Sequence, residues 1–242
     1  MSLVMLIDTS NVIHKAHYRK ENDAVKEFWT IIDRLNRCFQ PDHIIFSLDS
    51  DFTTWRHDEY PLYKAQRPLK TPEFEAFKKY IITDISKKYT TMQLEGFESD
   101  DLIGSYCAKY QDREEILIIT QDLDHAQLVN DRVLQLKFCG EFELEHVDRK
   151  YVKCRYNIYP EHLADLKAIA GDSSDNIKGL WKVGAKTAAM LINQWGSIEQ
   201  ILEQIELIGV DDRTELEARF LQSEELLLQF KKLTTICTHL EV

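Results

Sequence analysis

The sequence predicts an α/β fold, a Rossmann-like and mostly parallel sheet built from roughly the first 140 residues and followed by an all-helical part. Three observations carry this. Short continuous apolar runs, the mark of strands buried on both faces, recur at 3–7, 44–48 and 115–120, and each leads into aspartate at once or within two residues. Apolar residues at helical spacing fill the intervals. After Asp148 strand patterns stop and short helical patterns continue to the C-terminus.

The first strand is Leu3 to Ile7, with Asp8 at its tip. Val25, Phe28, Trp29, Ile32, Leu35 and Phe39 then mark a helix that Pro41 ends, returning the chain for a parallel second strand, Ile44 to Leu48, with Asp49 behind it. A right-handed crossover puts Asp8 and Asp49 at one edge of the sheet. Trp55-Arg56 and residues 60–68 are rich in aromatics and cations. They read either as a solvated loop or as aromatic faces for bases interleaved with cations for phosphates. From Pro72 to Lys88 a helix carries Phe74, Phe77, Ile81, Ile82 and Ile85 on one stripe, which packs while its lysines face solvent or substrate. A short strand from Thr91 to Leu94, a helix from Ser99 to Tyr110, a fourth strand from Glu115 to Thr120 and a fifth from Val133 to Leu136 complete the sheet.

At 242 residues the chain can bury a substantial core, and it divides into an α/β domain over 1–147 and a helical module over 148–242. The run Leu3 to Ile7 is too short for a signal h-region or a membrane span, so a soluble protein without membrane partners is expected. Five cysteines, Cys38, Cys107, Cys139, Cys154 and Cys237, include no CxxC pair, which suits core thiols in a reducing cytoplasm. A net charge of -11 argues by itself against nucleic acid. The balance is uneven, however: Arg56, Lys64, Arg67, Lys70, Lys78, Lys79, Lys87 and Lys88 concentrate cations in one segment, compatible with a phosphate-rich partner.

The acidic turn at Gly96 to Gly104 carries Glu98, Asp100 and Asp101 within four residues. Alone it reads as an acidic helix start capped by Ser99. Asp8, Asp49, Asp122 and Asp124 follow strands, and Asp172 and Asp175 sit in a glycine-flanked turn, so these carboxylates can share one crevice beyond the strand ends. Gathered anions would partly protonate unless neutralised, and divalent cations are the natural remedy. Residues Gly179 to Thr187 fail as a P-loop, because Ala185 separates Gly184 from Lys186 and no strand precedes them. They read better as a glycine-bearing hairpin between helices, with Lys186, Thr187 and the helix amides offered to a DNA phosphate.

In this order and spacing, LIDTSN at Asp8, FSLDSD at Asp49, Trp55-Arg56, Tyr63 to Arg67, Glu98 to Asp101, Thr120 to Leu128 and Gly171 to Ile177 resemble the 5′-nuclease, or flap endonuclease, family. That family includes phage 5′-3′ exonucleases and the nuclease domain of bacterial DNA polymerase I. The resemblance spans nearly the whole chain. It implies a PIN-like sheet with a helical arch over residues 60–90 and a helix-three-turn-helix module. It implies two Mg2+ or Mn2+ ions, the first at Asp8, Asp49, Glu98 and Asp100 with Asp101 beside them, the second at Asp122, Asp124, Asp172 and Asp175. Lys64 would stabilise charge on the scissile phosphate and Arg67 would position it. Arg56, Tyr63, Lys178, Lys182, Gly184, Lys186 and Thr187 would contact DNA, with Tyr63 either stacking on a terminal base or buried as a structural residue. The implied substrate is DNA with a 5′ flap, nick or free 5′ end, cut by a monomer during replication or repair in a bacterial cytoplasm or phage-infected host.

The chain departs from the family at its hairpin. Lys182 stands at the first glycine of the usual Gly-hydrophobic-Gly motif, and Lys178 where proline is common. A lysine there is expected to disfavour a left-handed backbone, and with it the monovalent potassium or sodium site. Two other readings are a PIN-type ribonuclease and a non-catalytic DNA-binding relative. The Lys64/Arg67 segment and the helical module weigh against the first, and the intact carboxylate set against the second.

Overall fold

The computed structural model describes residues 1–19, 23–140 and 143–242. They form two compact units, one of residues 1–55, 67–147 and 237–242, the other of residues 56–66 and 148–236. The simple division at 147/148 therefore needs correcting in two places. Residues 56–66 belong with the helical unit, and residues 237–242 belong with the sheet.

The sheet unit holds strands β1 (Ser2–Asp8), β2 (His43–Ser47), β3 (Thr90–Met92), β4 (Glu114–Ile119), β5 (Val133–Cys139) and β6 (Glu143–Val147) in the order β3-β2-β1-β4-β5-β6. All neighbouring pairs are parallel except β5 with β6. The edge strand β6 was not expected from the sequence, because Glu143-Leu144-Glu145-His146-Val147 is a charged alternation and not an apolar run. Also unexpected is helix α1 (Thr9–Tyr18), which starts directly at the tip of β1. Thr9-Ser10-Asn11 looks like a turn, yet the Asp8 side chain accepts the Asn11 amide at 3.3 Å and caps the helix.

Helices α2 (Ala24–Phe39) and α4 (Pro72–Ile85) join α1 on one face of the sheet, and α5 (Ser99–Tyr110) covers the other. Strand periodicity sorts the core. Met5, Ile7, Phe46, Leu117, Ile119 and Leu136 pack on the first face, while Val4, Leu6, Ile45, Ile116, Ile118 and Val133 pack on the second. On α4 the expected stripe is seated, with Phe74, Ile81 and Ile85 buried and Phe77 and Ile82 partly so. The expected arch over 60–90 is thus divided: residues 72–85 are a helix packed on the sheet unit, whereas the short helix α3 (Trp55–Glu59) leads into the part that belongs to the helical unit.

The helical unit contains α6 (Arg149–Tyr156), α7 (Leu163–Ala170), α8 (Ala185–Trp195), α9 (Ile198–Glu206), α10 (Glu215–Gln222) and α11 (Glu224–Thr234). Helix α7 packs on both α8 and α11. Its buried Asp165 receives Lys231 Nζ at 2.8 Å and the Ile198 amide at 3.0 Å, which fixes α9 and α11 to it. Beyond α7 two glycines cross at close quarters. A Cβ on Gly179, whose φ is +67°, would lie 2.3 Å from Gly171 N, and one on Gly171, φ +86°, would lie 2.7 Å from Lys178 O. Gly179→Ala should therefore lower stability by about 1–3 kcal/mol through strain and overpacking, measured by thermal or urea unfolding. An alanine variant as stable as the parent would show that this crossing relaxes freely.

Of the five cysteines, all free, Cys107 is buried, whereas Cys38 and Cys154 are exposed, so the core-thiol expectation holds for only part of the set. Among the described residues no helix is long and apolar enough to cross a membrane.

Candidate active site

In the sheet unit the carboxylates sit where the parallel strands end. Asp8 closes β1 in register with Ser47 of β2, and Asp49 follows two residues later. Glu98 and Asp100 stand at the start of α5, and Asp122 and Asp124 follow β4. Asp8 is only 3% exposed. Its carboxylate accepts the Thr120 hydroxyl at 2.7 Å and the Asn11 side-chain amide at 2.5 Å. Burial lifts the Asp8 carboxyl above its ordinary range; attraction to His125 opposes this, repulsion from Asp49 adds to it, and the bonds from Thr120 and Asn11 oppose it. Asp49 accepts Ser10 Oγ at 2.6 Å and the Ser99 amide at 3.1 Å. That second bond corrects the expected cap, since Ser99 is the first helical residue and Glu98 occupies the N-cap.

Asp122 caps a short 3-10 turn, Leu123–Gln127, by accepting the Asp124 amide at 2.9 Å. The turn carries His125 inward, with Nε2 3.4 Å from Asp100 Oδ1. Asp8, Asp100 and His125 each bring one ligand atom within 4.8 Å of the others. Two carboxylates and an imidazole at that spacing, with burial already raising one of the acids, fit a divalent cation. His125 belongs to none of the carboxylate positions expected from the sequence. Its position directly behind the Asp122/Asp124 pair was the available signal.

Asp101 plays a different part from the one expected. It is fully buried, and its carboxylate accepts Trp55 Nε1 at 3.1 Å, the Cys237 amide at 2.9 Å and the Glu98 amide at 3.4 Å. Three N–H donors leave it a structural tie between α5, Trp55 and residues 237–242, in place of the metal ligand expected. Around the same tail, Ser105 Oγ donates to Cys237 O at 3.3 Å and accepts the Leu240 amide at 3.0 Å. Asp101→Ala should cost about 3 kcal/mol or more by orphaning these donors, while divalent-ion affinity stays within a few-fold. A selective loss of metal affinity, read by calorimetry, would return Asp101 to the ligand set.

In the helical unit, residues 60–66 are laced to the loop at 172–177. Tyr63 is 2% exposed and its hydroxyl donates to Asp175 at 3.0 Å, so its ring is not presented for stacking on a base. Arg56 is likewise buried, with Nε 2.9 Å from Leu233 O and Nη2 3.0 Å from Thr235 O, and serves as an anchor, not as the expected DNA contact. Asn176 reaches Leu62 O at 2.8 Å and Gln66 reaches Ser173 O at 2.7 Å. Between them Lys64 adopts φ 52°, its amide donating to Asp175 O at 3.1 Å and its ammonium lying 4.7 Å from the Tyr63 ring centroid. Asp172 accepts Lys167 Nζ at 2.7 Å and Ser174 Oγ at 2.6 Å. Burial alone would raise its carboxyl, but Lys167 and Ser174 hold it below the ordinary range. Arg67, in the sheet unit, is exposed.

The hairpin contradicts the backbone argument made for Lys182. This lysine takes φ 61° despite its side chain, while Gly184 has an ordinary φ of -96°. Its ammonium lies 4.0 Å from the Trp181 ring centroid, a cation–π contact that helps hold a conformation lysine would otherwise avoid. Arg219 Nη1 donates to Trp181 O at 2.6 Å. Lys178, Lys182, Gly184 and Lys186 are exposed, Thr187 is half-buried, and no side chain caps the start of α8.

Two family models cover this chain end to end: the 5′-3′ exonuclease N-terminal resolvase-like domain matches residues 3–157 and the 5′-3′ exonuclease C-terminal SAM fold matches residues 158–242. The chain belongs to the 5′-3′ exonuclease family. A 5′-3′ exonuclease of Mycoplasmopsis pulmonis is 30% identical over 241 residues, covering 96% of this chain and 80% of the relative. DNA polymerase I of Bacillus caldotenax is 31% identical over 247 residues, and there the chain spans only 28% of the relative's length. Among solved structures, a bacteriophage T5 flap endonuclease in a pseudo-enzyme-product complex with DNA and metal ions superposes with a TM-score of 0.82 at 23% identity, covering 98% of this chain and 90% of that one. The catalytic core of Rad2 in complex with DNA substrate gives 0.62 at 13% identity, over 100% of this chain and 80% of that one. These likenesses establish the 5′-3′ exonuclease fold, a mostly parallel sheet followed by a SAM-like helical part.

Proposed function

We propose that this 5′-3′ exonuclease family member hydrolyses DNA phosphodiesters near free 5′ ends, nicks and 5′ flaps, as a monomer in DNA replication or repair, with two Mg2+ or Mn2+ ions. The observation that carries the reading is the meeting of Asp8, Asp100 and His125 within 4.8 Å beside Asp49 and the strand ends. Asp8, Asp49, Glu98 and Asp100 hold the first ion, and Asp122, Asp124, Asp172 and Asp175 supply the second. Bound divalent cations supply Lewis-acid stabilisation of the charge that develops at the phosphorus oxygens. Thr120 and Asn11 orient the Asp8 carboxylate. Lys64 stabilises the scissile phosphate in the transition state, and Arg67 positions it. Lys178, Lys182, Lys186, Thr187 and the Gly184 end of α8 grip duplex phosphates, which steer binding without reading sequence.

The test is a gel assay on matched flap, nicked, blunt and RNA-containing substrates, with and without divalent ion. Cleavage of DNA near 5′ ends that EDTA abolishes is the expected result. Substantial turnover in metal-free buffer rejects the metal reading, and a substrate range confined to RNA rejects the DNA reading.

A further inference from the structure

Among the described residues, His125 is a buried side chain at the strand ends that neither the carboxylate set nor the hydrogen-bond network explains. Its ring is fully buried, and neither Nδ1 nor Nε2 makes a hydrogen bond among the described residues. Buried polar atoms without partners are rare because they lose the hydrogen bonds that water gave them. The nitrogen Nε2 nevertheless points at carboxylates: Asp100 Oδ1 is 3.4 Å away, in ion-pair range but without hydrogen-bond geometry, and a ligand oxygen of Asp8 lies within 4.8 Å. An imidazole placed this way finds its missing partner in a cation shared with both acids.

We infer that His125 is a nitrogen ligand of the ion held by Asp8 and Asp100, making that centre a mixed nitrogen and oxygen site that favours first-row transition ions over Mg2+. The inference deepens the proposed function and rests on its reading of Asp8 and Asp100 as metal ligands. Magnesium binds through oxygen and gains little from imidazole, whereas Mn2+, Co2+ and Zn2+ accept it, with affinity rising toward the later metals. The opposing view is that His125 is an imidazolium counter-ion to the two acids. The two views differ in sign. Removing a ligand weakens transition-metal binding, while removing a positive charge strengthens the binding of every divalent cation.

The experiment uses the metal-stripped full chain. Pulsed EPR with less than one equivalent of Mn2+ should reveal imidazole 14N coupling that disappears in His125→Gln. Calorimetry should show Mn2+ and Co2+ affinity falling by about tenfold or more in that variant, with Mg2+ affinity changed less than about threefold. His125→Asn provides a second variant should the first not fold. Absence of nitrogen coupling in the parent chain, persistence of coupling in the variants, or equal gains for Mg2+ and Mn2+ would each overturn the inference. A chain that binds no divalent ion at all would instead reject the metal centre itself.

Discussion

Asp8→Asn should remove hydrolysis by on the order of 10³-fold or more and yet leave the metal-free protein at least as stable as the parent. Two properties of the site combine here. As an ionised ligand Asp8 is needed to hold the cation, so its loss removes stabilisation worth several powers of ten in rate. As a buried group it carries a carboxyl pushed above its usual range, chiefly by desolvation. The folded chain therefore binds this proton more tightly than the unfolded chain. The stability linked to it is present below the ordinary carboxylate range and is lost as pH rises through the raised folded value, so Asp8 favours folding less at neutral pH than in acid. Asparagine carries no charge and can still cap α1. In metal-free buffer at pH 7 the variant should melt at or above the parent, by about 2–4 °C for each kcal/mol recovered, and addition of Mg2+ or Mn2+ should raise its melting temperature far less. A variant that melts clearly below the parent without metal would show that Asp8 is chiefly structural.

Lys64→Met should slow single-turnover cleavage by about 10²- to 10³-fold with DNA affinity within a few-fold, because the ammonium acts on charge that appears only in the transition state. The backbone around it is fixed independently of the side chain. The Lys64 amide is held by Asp175 O, Tyr63 is buried below it, and Asn176 and Gln66 clamp either side. A non-glycine residue at φ 52° costs about 1–3 kcal/mol and persists only where its surroundings impose it. Methionine keeps the Cβ and most of the volume, so the substitution removes charge with little else changed. A Lys64→Met enzyme within a few-fold of the parent rate would exclude this electrostatic role.

Most of the sheet was legible because its central strands are buried on both faces, which leaves continuous apolar runs such as Leu3 to Ile7. The strand-end acids were legible for the same reason, since Asp8 and Asp49 interrupt those runs. What stayed hidden was decided by single contacts that composition does not encode. Helix α1 depends on one Asp8 cap, and β6 on pairing with β5 despite its charged alternation. Arg56 has the composition of a nucleic-acid surface, yet its contact to Leu233 O buries it, and the bond to Asp175 decides for Tyr63 the buried one of its two readings. Lys182 shows the limit of propensity arguments: the left-handed cost is real but small enough for a tertiary context to override.

The exchange of short segments between the two units has a consequence for how the protein is made. Arg56 waits for the carbonyls of Leu233 and Thr235, and Lys109 for that of Val242 at 2.8 Å. Closing loops of such length is entropically slow, and no early-synthesised stretch contains all of either unit. While the ribosome is still translating residues beyond 147, the sheet lacks the strap that satisfies Asp101, leaving a buried acid without its Cys237 donor. A nascent chain must therefore hold its sheet in an incomplete form until residues 237–242 emerge, and an excised piece such as 1–147 would inherit the same deficit permanently.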